Sequence, residues 1–246
     1  MIVESSRDAG HLASSYLVGD EPGGHAVIVD AGAPPGPILE AIERHRLDPT
    51  HLLCTHGHPD HVAHLSEYRR RFGLPVCAHS AETGWTEGVD IVLGGGERLS
   101  SGRLDIRVLH LPGHTAGGLA FLVDGERVFV GDTLFRRSVG GTRGPGATTF
   151  EDLRRSILDV LLRLPEPTIV HPGHMGPTTI GEEREHNPFV RAWRGADRHA
   201  EKPCRVEGAP ATLLLRATDY DGGTKCWVRL QEGTLAVVGG SKVRED

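Results

Sequence analysis

Between Thr55 and His61 the chain reads Thr-His-Gly-His-Pro-Asp-His, which places His56, His58, Asp60 and His61 within six residues. Imidazole and carboxylate are ready ligands for transition metals. Gly57 and Pro59 interrupt a regular helix, so the cluster is predicted to be a loop. It leaves the end of a short buried strand made by Leu52, Leu53 and Cys54. In a loop, closely spaced side chains can fan out around one or two cations, whereas a helical zinc motif sets its histidines four apart. A histidine-rich polar turn is the plainer alternative.

Three more polar residues sit in comparable places, each after an apolar strand and in a glycine-containing turn: His114, Asp132 and His174. With the first cluster they make seven nitrogen and oxygen ligands and no thiolate. A zinc ion takes about four ligands, and catalytic sites leave one position to water. Seven exceed the needs of one ion and suit two, with a carboxylate shared. Two cations ~3.5–4 Å apart can hold a hydroxide and polarise a carbonyl oxygen. The remaining histidines, 15 in all, need not be ligands.

The elements that must carry these turns read as alternating strands and helices. Strands are expected at residues 14–18 and 26–29, then a tight turn through Asp30-Ala31-Gly32-Ala33-Pro34-Pro35 and a helix from about 38 to 45. A basic-faced helix follows at 65–72 and a strand at 75–78, which suggests an α/β layered domain. Residues 84–102 are glycine-rich and read as a surface loop. A strand at 104–109 leads to His114. Residues 119–123 and 127–130, split by Asp124-Gly125, give the clearest hairpin signal. After a loop over 137–149 come a helix at 150–164, a strand at 168–170 and a final helix from 180 to about 193. Composition shifts after Gly195. The expected division is therefore a main domain over 1–196 and a small β-rich appendage over 197–246, with short strands at 212–217, 225–230 and 235–238.

A length of 246 residues with 38% hydrophobic and 24% charged residues fits a globular protein with a substantial core. The net charge of -6 argues against a nucleic-acid partner, which needs a concentrated basic surface. No apolar stretch is long enough for a signal peptide or membrane helix, so a cytoplasmic protein with no membrane partner is expected. Cys54, Cys77, Cys204 and Cys226 lie far apart with no Cys-x-x-Cys pair, which suits reduced thiols.

The order His-x-His-x-Asp-His, then Gly-His-Thr, Gly-Asp-Thr and Pro-Gly-His, resembles the metallo-β-lactamase superfamily. Gly131-Asp132-Thr133-Leu134-Phe135, and the run from Pro172-Gly173-His174 through Thr178-Thr179-Ile180-Gly181-Glu182-Glu183-Arg184 to Asn187-Pro188, resemble its glyoxalase II (hydroxyacylglutathione hydrolase) branch. The likeness spans about residues 1–195. It implies a four-layer αββα sandwich, with His56, His58 and His114 on one divalent metal, Asp60, His61 and His174 on a second, and Asp132 bridging. Zinc is the first expectation, with iron or manganese as alternatives. The implied activity is cleavage of a small-molecule thioester or ester by a metal-bound hydroxide, with Asp60 and Asp132 as the catalytic carboxylates. Lactonases, β-lactamases and mono-iron persulfide dioxygenases share the implied fold, and a non-catalytic metal-binding interaction protein is the alternative from another class. Two features depart from the branch: residues 138–146 lack its Gly-Arg-x-Asp element, and the tail reads as strands where the branch has a helical glutathione-gripping region.

Other polar residues have weaker readings. His11, Ser14 and Tyr16 are expected to be structural, His79 and His110 not to ligate, and His171 to stand behind a ligand. Arg136, Arg137 and Arg143 suit a substrate carboxylate or a solvated loop equally. Glu182-Glu183-Arg184-Glu185 reads as a charged helix start.

Overall fold

The computed structural model describes residues 1–199 and 201–245. The chain forms two compact units, one of Met1–His110, Gly117–Gly131 and Gly173–Met175, the other of Leu111–Ala116, Asp132–Pro172 and Gly176–Asp246.

In the first unit the order is β1 (Ile2–Arg7), β2 (Ser14–Gly19), β3 (His25–Val29), α1 (Gly36–His45), β4 (Asp48–Leu53), α2 (Pro59–Val62), α3 (Leu65–Phe72), β5 (Val76–His79) and β6 (Val89–Leu93). These strands form one sheet in sequence order. β1 to β3 are antiparallel; β3 to β6 run parallel. The change of direction follows from the connections, since the helices after β3 and β4 carry the chain back across the sheet. A meander follows: β7 (Arg98–Ser101), β8 (Leu104–His110), β9 (Leu119–Val123) and β10 (Arg127–Gly131). The turn between β9 and β10 has Asp124 and Gly125 both at positive φ, the requirement of a tight primed turn.

Alternation along the strands sorts side chains onto two faces. Leu17, Ala26, Ile28, Leu52, Val76 and Ala78 pack with Ile38, Ala41 and Ile42 of α1 and Leu65 and Tyr68 of α3. Their strand neighbours Tyr16, Val18, Val27, Val29, Leu53 and Cys77 face the other way, against Ile106, Val108, Phe121 and Phe129 of the meander. Helices, sheet and second sheet thus stack in layers, as expected for this fold class.

Three expectations change here. β1 is an added edge strand. Residues 84–102 contain β6 and β7 rather than a surface loop, because their alternating residues find partners in β5 and β8. The histidine cluster is not all loop: Pro59 opens α2, so Asp60 and His61 lie in a helical turn. Proline's fixed φ suits that first helical position.

In the second unit a small hairpin, β11 (Leu134–Phe135) and β12 (Ser138–Val139), follows Asp132. α4 (Phe150–Arg155) is capped by Thr149 Oγ1 and runs on through a π turn at Ser156–Val160 and a 3-10 turn at Leu161–Arg163. β13 (Ile169–Pro172) and β14 (Thr178–Thr179) pair before α5 (Ile180–His186) and α6 (Pro188–Trp193). The single final helix expected over 180–193 is therefore two. Asn187 is extended, as the residue before a proline prefers, and its Oδ1 caps the amides of Phe189 and Val190.

The tail forms a five-stranded antiparallel sheet of β15 (Lys202–Val206), β16 (Ala209–Thr218), β17 (Thr224–Leu230), β18 (Leu235–Gly239) and β19 (Val243–Glu245). It has two strands more than anticipated, and its own core includes Cys204, Leu213, Cys226, Val228 and Val238. Trp227 of β17 stacks on Phe150 of α4 at 5.6 Å, and Trp193 of α6 meets both edge-on. All four cysteines are buried free thiols, Cys54 and Cys77 in the first unit, Cys204 and Cys226 in the second. No helix among the described residues is long and apolar enough to cross a membrane.

Candidate metal centre

Five of the seven expected ligands belong to the first unit. β4 ends in the interior of its sheet, and the chain emerging there carries His56 and His61, both buried, with His58 and Asp60 half-buried. His174 reaches the same unit through a turn whose Gly173 carbonyl accepts from Ser14 N–H and whose Gly173 N–H donates to Gly131. A bridge between Ala13 and His174 adds to this anchorage. Asp60, His61 and His174 offer ligand atoms all within 4.8 Å of one another. His174 Nε2 lies 3.5 Å, and His61 Nε2 3.8 Å, from Asp60 Oδ2. The ring of His56 sits 4.2 Å from that of His61 and 4.7 Å from that of His58.

Two buried carboxylates, neither singled out in the sequence, fix this loop. Asp30, directly after β3 and at φ 56, accepts from Thr55 N–H at 2.7 Å and Thr55 Oγ1 at 2.8 Å. Its Oδ2 also lies 2.9 Å from His61 Nδ1. A carboxylate makes Nδ1 the protonated nitrogen, which leaves the Nε2 lone pair aimed at Asp60 and His174. Glu82, 3% exposed, accepts from Gly57 N–H at 2.9 Å and Gly117 N–H at 2.8 Å, tying the histidine loop to the strand entering β9. Close approach also demands Gly32: a Cβ there would overlap the Asp60 carbonyl. The only sequence signals for these supports were a tight turn after β3 and an acidic residue after β5.

The other two expected ligands lie in the second unit. His114 Nε2 is 3.6 Å from Asp132 Oδ2. His114 Nδ1 is 3.0 Å from the Gly141 carbonyl. A carbonyl only accepts, so Nδ1 carries the proton and Nε2 presents its lone pair towards Asp132. Asp132 is 9% exposed.

The other polar residues singled out in the sequence make contacts of their own. Tyr16 packs edge-on to Phe129 at 5.2 Å, and burial pushes its hydroxyl up to about 12, too high for proton transfer near neutrality. His11 is exposed beside Asp8. His79 and His110 stack at 4.6 Å; burial first, and then His110, depress His79. His171 is buried in β13. Arg137 uses its backbone N–H to reach Glu183 at 2.9 Å. Glu183 departs from a solvated helix start: it is wholly buried and accepts from Thr178 Oγ1 at 2.7 Å and Asn187 Nδ2 at 2.8 Å.

The donors are imidazoles and carboxylates, with no thiolate among them, a set suited to zinc, iron or manganese. The tautomers imposed by Asp30 and Gly141 are those that ligation requires. The residues present therefore fit divalent metal ions.

Comparison with known proteins gives the same picture. Residues 9–174 match the model of the metallo-beta-lactamase superfamily. An uncharacterized protein of Mycobacterium tuberculosis is 37% identical, over 74% of this chain and 95% of that protein. The hydroxyacylglutathione hydrolase GloC of Haemophilus influenzae is 32% identical, over 68% of this chain and 88% of that one. The crystal structure of TTHA1623 in a di-iron-bound form superposes with a TM-score of 0.65 at 34% identity, covering 76% of this chain and 99% of that chain. The α/β sandwich fold expected from the sequence is thereby shown, and the chain belongs to the metallo-beta-lactamase superfamily.

Proposed function

We propose that this chain is a dinuclear metallohydrolase that cleaves a thioester or ester carbonyl in the manner of the hydroxyacylglutathione hydrolases. The observation that carries the reading is the Asp60–His61–His174 group, three donors within 4.8 Å with His61 held by Asp30. Our assignment gives His56, His58 and His114 to one cation, Asp60, His61 and His174 to the second, and Asp132 to both. The likeness to GloC supports the hydrolase class, and the di-iron form of TTHA1623 keeps iron beside zinc as a candidate metal.

When bound, divalent cations supply Lewis acidity that polarises a carbonyl and acidifies water. The protein's own part is positioning and proton handling. Asp30 and Gly141 hold His61 and His114 with Nε2 free of protons. Asp60 and Asp132 are the carboxylates able to orient the attacking water and accept its proton. A cysteine nucleophile is not needed, and burial raises Cys54 far above its ordinary value and Cys77 to about 12, so neither is a thiolate near neutrality. In place of a helical tail, residues 202–245 form a sheet, which favours a substrate smaller than a glutathione thioester.

The test is elemental analysis of the purified protein, followed by a panel of S-lactoylglutathione, small thioesters and lactones. Two metal ions per chain and cleavage of a thioester are expected. One tightly bound iron, with oxygen consumption on a persulfide, would overturn the hydrolase reading in favour of a dioxygenase.

A further inference from the structure

The segment Ser138–Thr142 passes directly behind both ligands of the second unit. Gly141 receives His114 Nδ1–H at 3.0 Å, and Gly140 N–H donates to the carbonyl of Thr133, the neighbour of Asp132, at 3.2 Å. Gly140 lies so close to Asp132 that a Cβ would overlap its carbonyl. The C-terminal sheet holds this segment at both ends, in addition to its pairing with β11 and to Asn187 Nδ2, which donates to the Ser138 carbonyl at 3.0 Å. At the first end, Ser138 Oγ donates to Asp219 Oδ1 at 2.7 Å, in the turn between β16 and β17. Asp219 is 2.9 Å from Lys225 Nζ in a buried ion pair, with Lys225 over the rings of Phe135 and Tyr220. At the second end, Thr142 N–H donates to Val237 O and Val237 N–H to Thr142 Oγ1, each at 2.9 Å. Thr142 and Val237 are buried, so water does not readily replace these bonds.

We propose that the C-terminal sheet is a positioning brace for the metal ligands: it pins Ser138 and Thr142 so that the Gly141 carbonyl sets the tautomer and direction of His114. The superfamily model ends at residue 174, so the brace lies beyond the matched region. Ser138 and Thr142 are positioning residues, acting through the Gly141 carbonyl on His114. This inference rests on the proposed function in treating His114 as a ligand. Hydrogen-bond partners standing behind a metal ligand typically contribute 10- to 100-fold in metal affinity.

The experiment uses the full chain with a Ser138→Ala/Thr142→Val double variant, a Thr142→Ser variant and Arg216→Ala as a control within the tail. Zn2+ affinity is measured by chelator competition. The His114 Nδ1–H resonance is followed by 15N NMR in the metal-free protein, with circular dichroism to confirm folding. The double variant should lose about 10- to 100-fold in affinity for the weaker Zn2+ and show a mixed His114 tautomer. Thr142→Ser, which keeps the hydroxyl, and Arg216→Ala should match the parent in both. Unchanged affinity and an unchanged resonance in the folded double variant would overturn the brace. So would an equal loss in Arg216→Ala, which would mark a general effect of tail stability. Should the double variant fail to fold, Thr142→Val alone is judged by the same two readouts. A parent that binds no Zn2+ would defeat the proposed function, and the brace is then decided by the His114 resonance alone.

Discussion

Asp30→Asn isolates what one buried carboxylate does for the centre. Asp30 accepts three hydrogen bonds at 2.7, 2.8 and 2.9 Å while 3% exposed. Asparagine tolerates the positive φ, so the backbone is spared. Its oxygen can keep Thr55 N–H, and its amide then faces His61 Nδ1. Nδ1 must turn acceptor, which moves the imidazole proton to Nε2, where a cation would bind. The metal-free fold should lose only about 1 kcal/mol, roughly one net hydrogen bond. Metal affinity should fall about 10- to 100-fold, or about 1.4–2.8 kcal/mol. Asp30→Ala, by contrast, leaves Thr55 and His61 without their acceptor and should cost about 3–5 kcal/mol of folding stability. Urea unfolding of the metal-free protein reads the first quantity and chelator competition with Zn2+ the second. Parent-like Zn2+ affinity in Asp30→Asn would refute the argument that Asp30 selects the tautomer of His61.

Replacing Asp132 with Ala should abolish hydrolysis while sparing the fold, as read by turnover and circular dichroism; turnover within tenfold of the parent would remove Asp132 from the bridging role proposed for it. Gly32→Ala should destabilise by about 1–3 kcal/mol in urea, because the added methyl meets the Asp60 carbonyl and nearby backbone must shift. Burial, the largest influence on Glu183, raises its carboxyl above the ordinary value despite the opposing bonds from Thr178 and Asn187. Its folded state therefore holds the proton to higher pH than the unfolded chain. Stability should fall as pH rises from the unfolded value of 4.5 to the raised folded value, and Glu183→Gln should flatten that slope in urea titrations across the window. For substrate choice, kcat/KM for a small thioester should exceed that for S-lactoylglutathione; a clear preference for the glutathione substrate would count against the smaller-substrate reading.

The ligand turns were legible because strand ends are marked locally, by apolar runs that stop at glycine and a polar residue. The β9–β10 hairpin was legible for the same reason, with Asp124-Gly125 specifying its turn. α3, legible as a basic-faced helix over 65–72, lies at those bounds. Asp30 and Glu82 were not legible, because their partners lie about 25 to 35 positions away and only folding brings them together. β6 and β7 were hidden by the glycines around them and by exposed alternate residues. β15 contains Pro203 and β19 has three residues, too little pattern to announce a strand. The break between α5 and α6 is announced by Pro188, with Asn187 before it capping the second helix.

The four buried thiols give the protein a built-in clock. Cys54, just past the end of β4, and Cys77 of β5 are neighbours in the first unit, where the Cys54 amide donates to the Cys77 carbonyl at 2.9 Å. Cys204 and Cys226 lie in the core of the tail sheet. A covered thiol does not meet an alkylating reagent until its strand opens. Mass spectrometry of the alkylated peptides would therefore time the opening of the histidine-bearing sheet and of the tail separately, in one sample.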